Sequence, residues 1–430
     1  MNIKTVTVVG ANGNMGSNVS GILAAFGGAT VYLISRKIED SELVVEKICK
    51  SVKAGDIRKR LIPKTYDELE SCIGNSDWVF ESVAENMELK LKITQLISQY
   101  SHKETILTTG TSGLSLDILA SSIEEEKRSN YFGTHFFNPP YNLNLCEIIY
   151  TKHTNRELIG KFANYIQNSI FRTVVFAKDS PAFLANRVGF QFINRAFLLA
   201  EKHQELGGID YIDYLFQGVT GRSMSPLVTA NFVGLDIHQA IISNLYTKTD
   251  DFENESFKSP VFLDYLIKNY LGIKTNGGLY KKEISGNDIN RYVFDIKMND
   301  YRLENHYNIE IVEKMKKLIS IGAYSLAYDL LKKSTSKESS IIKSLLAEHI
   351  VYSLVISLEV SDDITSIDDA LVNGFNWIAP QDLIYLFGGV GEFRKLYLKY
   401  AENQISQDVL DSILDEVKPS AYDYRKFLKA

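Results

Sequence analysis

"KTVTVVGANGNMGSNVSGILAAFG", residues 4–27, begins with β-branched residues, turns through three glycines and continues with apolar residues at helical spacing. Val19, Ile22, Leu23 and Phe26 recur at the three- and four-residue intervals that line one face of a helix. In order, this is strand, tight turn, helix. The glycines are Gly10, Gly13 and Gly16, with Asn14 and Met15 between the last two. Glycine is needed where a backbone turns sharply and approaches a pyrophosphate, whose charge then rests on the N-terminus of the following helix. A second β-branched run, "ATVYLIS" (29–35), arrives where the next strand of a βαβ unit belongs. The stretch therefore predicts an α/β dinucleotide-binding unit rather than a plain structural turn, with Gly10, Gly13, Asn14, Met15 and Gly16 at the cofactor.

The end of that second strand carries the ribose selector. An acid there bonds the 2′-hydroxyl of NAD, whereas an arginine accommodates the 2′-phosphate of NADP. Here the residues are Ser35 and Arg36, and the first acids come only at Glu39 and Asp40. Both are candidate cofactor contacts, and the choice between NAD(H) and NADP(H) stays open.

At 430 residues the chain is too long for one core, so two or three domains are expected. No uninterrupted apolar run reaches the ~18 residues of a membrane span. The first residues lack the layout of a secretion signal, so a cytoplasmic protein without membrane insertion is expected. Three cysteines, Cys49, Cys72 and Cys146, form neither a metal spacing nor an even disulfide set, and no metal site is expected. A net charge of −6 argues against a general nucleic-acid surface. An anionic ligand must then meet local cations, and "KICKSVKAGDIRKRLIPKTYDELE" (47–70) supplies Lys47, Lys50, Lys53, Arg58, Lys59, Arg60 and Lys64.

Two further strand-like runs, "WVFESVA" (78–84) and "ETILTTGTSGLS" (104–115), end in loops, where open α/β sheets bind ligands. Between them Leu89, Ile93 and Ile97 fall on one helical face. Ser112 is a candidate contact there, although such a serine otherwise caps the next helix. In "YFGTHFFNPPYNLNLCEIIY" (131–150), His135 stands among aromatics, and Glu147 follows twelve residues later inside an apolar run. Burying that acid demands a partner, and His135 is the candidate.

The ordered blocks "VVGANGNMG", "FESVAENMELK", "TGTSGLS", "GTHFFNPP", "CEII", "KDSPAFLANR" and "GIKTNGGLYKK" resemble the 3-hydroxyacyl-CoA dehydrogenase family from residue 1 to about residue 285. The resemblance implies a Rossmann-type α/β domain followed by all-α domains. It also implies NAD(H) as cofactor and reversible oxidation of a 3-hydroxyacyl-CoA to the 3-oxoacyl-CoA. By position, His135 matches the proton-accepting histidine, Glu147 its carboxylate, Ser112 the serine on the substrate hydroxyl and Asn186 the asparagine that holds the substrate oxygens. Glu85, Lys90, Asn138 and Lys274 match cofactor contacts, and Arg58 and Arg60 are expected on the CoA phosphates. Three departures stand out. The usual "NTSS" loop is here "GTSG", a change expected to loosen the presentation of Ser112. The "PGF" turn is Pro181, Ala182, Phe183, and the ribose acid is missing.

Beyond residue 179 the pattern is helical. "IDYIDYLFQGVTGRSMSPLVTANFVGL" (209–235) and "ITSIDDALVNGFNWIAPQDLIYLFGGV" (364–390) each hold Ile-Asp, a glycine and a proline, with another glycine eight residues after that proline. This predicts two copies of one helical unit. The expected domains are 1–178 for the cofactor, 179–290 for the first helical copy, 291–320 as linker and 321–430 as a structural second copy. Such a duplication leaves either a monomer that mimics a dimer, or a homodimer. The fused relatives add an enoyl-CoA hydratase region that this sequence does not resemble, so hydration is expected from a separate chain. Rival readings are an NADPH-dependent 3-oxoacyl reductase, a dehydrogenase of a small hydroxy acid, and a non-catalytic nucleotide-binding protein of the same fold.

Overall fold

The computed structural model describes residues 1–52, 55–275, 277–285, 288–420, 422–424 and 427, so Lys53 lies outside the described residues. The chain forms two compact units, Met1–Phe183 with Val360–Asp362, and Leu184–Glu359 with Asp363–Ala430.

The first unit is built on an eight-stranded sheet of order β3-β2-β1-β4-β5-β6-β7-β8. Its strands are β1 (Thr5–Val9), β2 (Thr30–Ser35), β3 (Leu61–Thr65), β4 (Trp78–Glu81), β5 (Ile106–Thr109), β6 (Tyr131–Phe136), β7 (Leu145–Tyr150) and β8 (Thr173–Lys178). The β-branched runs read in the sequence are the central strands. Alternate side chains feed two cores, one on each face: Val8, Leu33 and Phe80 enter one, Val9, Ile34 and Val79 the other. Burial of both faces is why these strands read as continuous apolar runs rather than as alternating ones. All neighbouring strands run parallel except β6 and β7, which are antiparallel.

Helix α1 (Asn14–Ala25) follows the glycine turn and buries Val19, Ile22 and Leu23. Phe26, expected on that face, is half exposed at the helix end and meets Phe171 edge-on at 6.2 Å. Helix α2 (Ile38–Val52) follows β2, and α3 (Met87–Tyr100) follows β4. On α3 the buried face is Lys90, Ile93, Thr94 and Ile97, while Leu89 is exposed. That face is rotated by one position from the apolar stripe because the ammonium of Lys90 finds a buried carboxylate, described below.

Among its described residues the second unit is helical apart from one three-stranded sheet. Among its helices are α4 (Ala185–Lys202), α5 (Pro226–Val233), α6 (Lys337–Val360) and α7 (Pro380–Leu386). That sheet is an antiparallel meander of β9 (Tyr280–Ser285), β10 (Asp288–Asp295) and β11 (Asp300–Leu303), which runs from the end of the expected first helical copy (179–290) into the stretch 291–320 expected as linker. Among the described residues, α6 alone is long and apolar enough to cross a membrane, and 78% of its apolar window is buried inside the protein. It is a buried core helix.

Candidate active site

The glycine turn has the shape a pyrophosphate requires. Gly10 has φ +84°, and a Cβ there would lie 2.6 Å from the Ser82 carbonyl oxygen; one at Gly16 would lie 2.5 Å from the Gly10 oxygen. The Gly10 and Ala11 amides donate to Ile34 O at 3.0 Å, which ties the turn to the end of β2. Helix α1 is preceded by Gly13, so no side chain caps it. Its first-turn N–H groups remain for an anion. Asn14 is exposed and Met15 half-buried beside them. These features fit a dinucleotide. At the end of β2, Ser35 is buried with a hydroxyl that finds no partner among the described residues, and Arg36 is exposed.

The loops after β4 and β5 are tied together by carboxylates. Lys90 and Glu81, each only 1% exposed, form an ion pair with Nζ 2.8 Å from Oε1 and 3.0 Å from Oε2. Glu81 Oε2 also accepts from Thr109 Oγ1 at 2.6 Å, and Oε1 from the Val83 amide at 2.6 Å. Buried charges persist when their remaining lone pairs are satisfied in this way. Lys90 lies 3.6 Å from Glu85 Oε2. The other oxygen of Glu85 accepts from Thr111 Oγ1 at 2.6 Å and from the Ser112 amide at 2.9 Å. Glu85 and Lys90, expected at the cofactor, thus also shape the loop that presents the exposed Ser112. On the far side of that loop, Ser115 Oγ and the Asp117 amide both donate to Asp179 Oδ2 at 2.9 Å.

The substituted loop positions have a packing reason. A Cβ at Gly110 would meet Phe80 Cζ at 2.8 Å, so the Phe80 ring fills the place of the side chain. At Gly113 a Cβ would lie 3.7 Å from the Ala182 nitrogen, in ordinary contact, so the loop abuts the Pro181–Phe183 turn.

His135 and Glu147 face each other across β6 and β7, and their pairing follows from strand register. Nδ1 of His135 lies 2.7 Å from Oε2 of Glu147. Glu147 is fully buried and His135 is 5% exposed. The antiparallel step in the sheet makes this possible, because directly opposed residues on such strands point the same way. The imidazole is held edge-on by Phe137 (4.6 Å between ring centres) and Phe183 (5.6 Å). Nε2 has no partner among the described residues. Ser112's loop and His135 therefore meet the same turn, one at Ala182 and the other at Phe183.

The remaining candidates lie elsewhere. Asn138 is exposed just beyond β6. Asn186, buried in the first turn of α4, and Lys274, exposed and paired with Asp236 at 2.5 Å, belong to the second unit. Arg58 is paired with Glu46 and lines a cavity of about 640 Å³ together with Glu39 and Glu42, a wall with more carboxylates than cations. Arg60 donates to the Ala24 carbonyl at 2.9 Å. Lys47, Lys50 and Lys59 are exposed nearby in sequence. The sequence reading missed Glu81 and Asp179; an acid at the carboxyl end of a buried strand, as in "VFES", is the signal that could have raised the first.

The profile of the 3-hydroxyacyl-CoA dehydrogenase NAD binding domain matches residues 5–180, and that of the 3-hydroxyacyl-CoA dehydrogenase C-terminal domain matches residues 183–282. A probable 3-hydroxyacyl-CoA dehydrogenase of Bacillus subtilis is 30% identical over 321 residues, which is 74% of this chain and 39% of that protein. One from Deinococcus radiodurans is 31% identical over 301 residues, 66% of this chain and 84% of that protein. The crystal structure of Escherichia coli 3-hydroxybutyryl-CoA dehydrogenase superposes with a TM-score of 0.72 at 19% identity, covering 97% of this chain and 99% of that one. This last likeness is one of fold.

Proposed function

The chain belongs to the 3-hydroxyacyl-CoA dehydrogenase family, and from that premise we propose that it interconverts 3-hydroxyacyl-CoA and 3-oxoacyl-CoA, with His135 moving the proton of the 3-hydroxyl. The observation that carries this reading is the buried His135–Glu147 pair at 2.7 Å. With Nδ1 committed to Glu147, Nε2 is the nitrogen that takes the hydroxyl proton. Glu147 fixes the tautomer and stabilises the imidazolium that forms, the role a buried carboxylate plays behind catalytic histidines generally. Phe137 and Phe183 keep water from the ring. Ser112 bonds the substrate hydroxyl, and the Asn186 amide donates to the oxygen as it becomes a carbonyl. A nicotinamide held there would supply the hydride transfer at C3, while His135 Nε2 takes the hydroxyl proton on oxidation and returns it on reduction.

The glycine turn of α1 would hold the cofactor phosphates, with Asn138 and Lys274 as its further contacts. For the coenzyme A moiety we assign Arg58 and Arg60 with the exposed lysines around them; Arg58 must leave Glu46 to serve. Duplication of the helical unit is supported by a shared device: Asp213 accepts from the Leu227 and Val228 amides at the start of α5, and Asp368 accepts from the Gln381 amide at the start of α7. Each helix opens with the proline of the repeated motif.

A second reading, NADP(H) in place of NAD(H), is favoured by Ser35 and the exposed Arg36 where an acid would bond the ribose. Absorbance at the nicotinamide band with acetoacetyl-CoA, run with NADH and NADPH in parallel, tests both. Oxidation of a cofactor, lost in His135→Gln, supports the reaction and identifies the nucleotide; silence with both, where calorimetry still finds cofactor bound, refutes the substrate assignment.

A further inference from the structure

Asn186 sits in the first turn of α4. Ala182 and Phe183 just before it have φ +60° and +54°, a left-handed conformation that costs side-chain-bearing residues energy. Leu184 precedes the helix in αR geometry. The first turn is gripped through the next residue. Arg187, 1% exposed, pairs with Asp251, also 1% exposed, and its Nη1 lies 3.0 Å from Glu359 Oε1. Its Nε reaches Asp251 Oδ2 at 3.3 Å, and the same oxygen accepts from Tyr352 OH at 2.6 Å.

Tyr352 and Glu359 both come from α6, in the region read as the structural second copy. About two helical turns further along α4, Arg195 pairs with Glu348 at 2.6 Å. Partners that descend α4 ascend α6, so the two helices lie antiparallel and the charged contacts fix their sliding as well as their rotation. A forked guanidinium bound on more than one side permits little movement of its own backbone. The side chain one residue earlier is thereby aimed as well.

We propose that Tyr352 and Glu359 of α6, acting through Arg187 and Asp251, are positioning residues for Asn186, so that the C-terminal helical half is part of the catalytic apparatus. The proposal rests on the reading of Asn186 as a substrate contact. Small displacements of such a group are costly, since about 1 Å of misplacement can slow a reaction ~10²-fold.

The test is a double-mutant cycle on the full chain. Tyr352→Phe removes the hydroxyl that donates to Asp251 and meets Arg187, and leaves the ring in place. In the otherwise native chain it is expected to lower kcat about 10-fold while leaving KM for the nicotinamide unchanged, the size expected for a modest loss of orientation. In an Asn186→Ala background the same change is expected to alter kcat less than ~2-fold, because the group it aims is gone. Equal losses in both backgrounds overturn the proposal. If Asn186→Ala alone leaves kcat intact, the reading of Asn186 fails and the proposal falls with it. Hydrogen–deuterium exchange supplies a readout independent of turnover: Tyr352→Phe should raise exchange across residues 184–190 and leave β1 to β6 unchanged. Unaltered exchange there also overturns the proposal. Glu359→Gln, which keeps shape at a half-exposed position, is expected to give a smaller effect of the same pattern, and a loss explained by a lower Tm would count against positioning.

Discussion

Glu147→Gln removes one charge from the centre of the candidate site and almost nothing else. The glutamine oxygen can still accept from Nδ1, so the ring keeps its orientation and tautomer. What disappears is the attraction between the carboxylate and the imidazolium formed as the proton arrives. At the observed 2.7 Å, with an effective dielectric constant of ~20, that attraction is about 6 kcal/mol. If the proton is half transferred in the transition state, about 3 kcal/mol is lost; if fully transferred, all of it. The expected fall in kcat is then ~10²- to ~10⁴-fold. Because Glu147 is fully buried, replacing its charge by a neutral isostere should leave stability unchanged or raise it by about 1 kcal/mol. Steady-state kinetics with acetoacetyl-CoA and thermal unfolding of the same preparation decide the matter. A kcat within ~10-fold of wild type would refute the role given to Glu147. So would a loss that merely tracks unfolding.

Other outcomes follow from the same contacts. Lys90→Met leaves Glu81 buried and unpaired, and should cost about 3–5 kcal/mol in denaturant unfolding, with Ser112's loop disordered as Glu85 loses its cation. Gly110→Ala drives a Cβ into the Phe80 ring and should destabilise by about 1–3 kcal/mol; Phe80→Leu in the same chain should recover much of that. Burial, with Glu348 close by, pushes the Glu253 carboxyl up to about 8, while Arg195 and a bond from Gln191 oppose the shift. A folded pKa above the unfolded one means the native state binds the extra proton, so this stability is present in full below about 4.5 and is lost as pH rises through 8. Glu253→Gln should flatten that slope in a pH series of melting temperatures.

The parts legible in the sequence are those written in short-range pattern. β1, the glycine turn and α1 are contiguous, and a β-branched run followed by spaced glycines has few other solutions. His135 and Glu147 are twelve residues apart, and the cost of burying Glu147 pointed to its partner before any strand register was known. Apart from the family resemblance, which set it at the cofactor, Lys90 was legible only as a cation on a helix. Its true place required knowing that Glu81, at the end of a strand, turns inward with Thr109 and Val83 to receive it. Arg187, Asp251 and Tyr352 were beyond reach for a related reason: 64 residues separate the first two and 101 the last two. Nothing local in "NRVGF" or "TDDFE" marks an ion pair. The meander of β9 to β11 was obscured because its short strands carry mostly polar residues, with Val293 and Phe294 among the few that are buried.

The three residues Val360–Asp362, which leave the helical unit and return to it, have a consequence for anyone dissecting the protein. They lie on the last strand of the sheet: Ser361 bridges Ala177 of β8, and Asp362 receives Tyr150 OH at 2.7 Å and Arg156 at 2.5 Å. A fragment ending at Phe183 would therefore lack its own edge guard. β8 would present open backbone donors and acceptors, the template on which sheets recruit further strands and aggregate. Supplying those residues in trans as a short peptide, rather than trimming the terminus more finely, is the remedy the fold itself suggests for making the nucleotide half on its own.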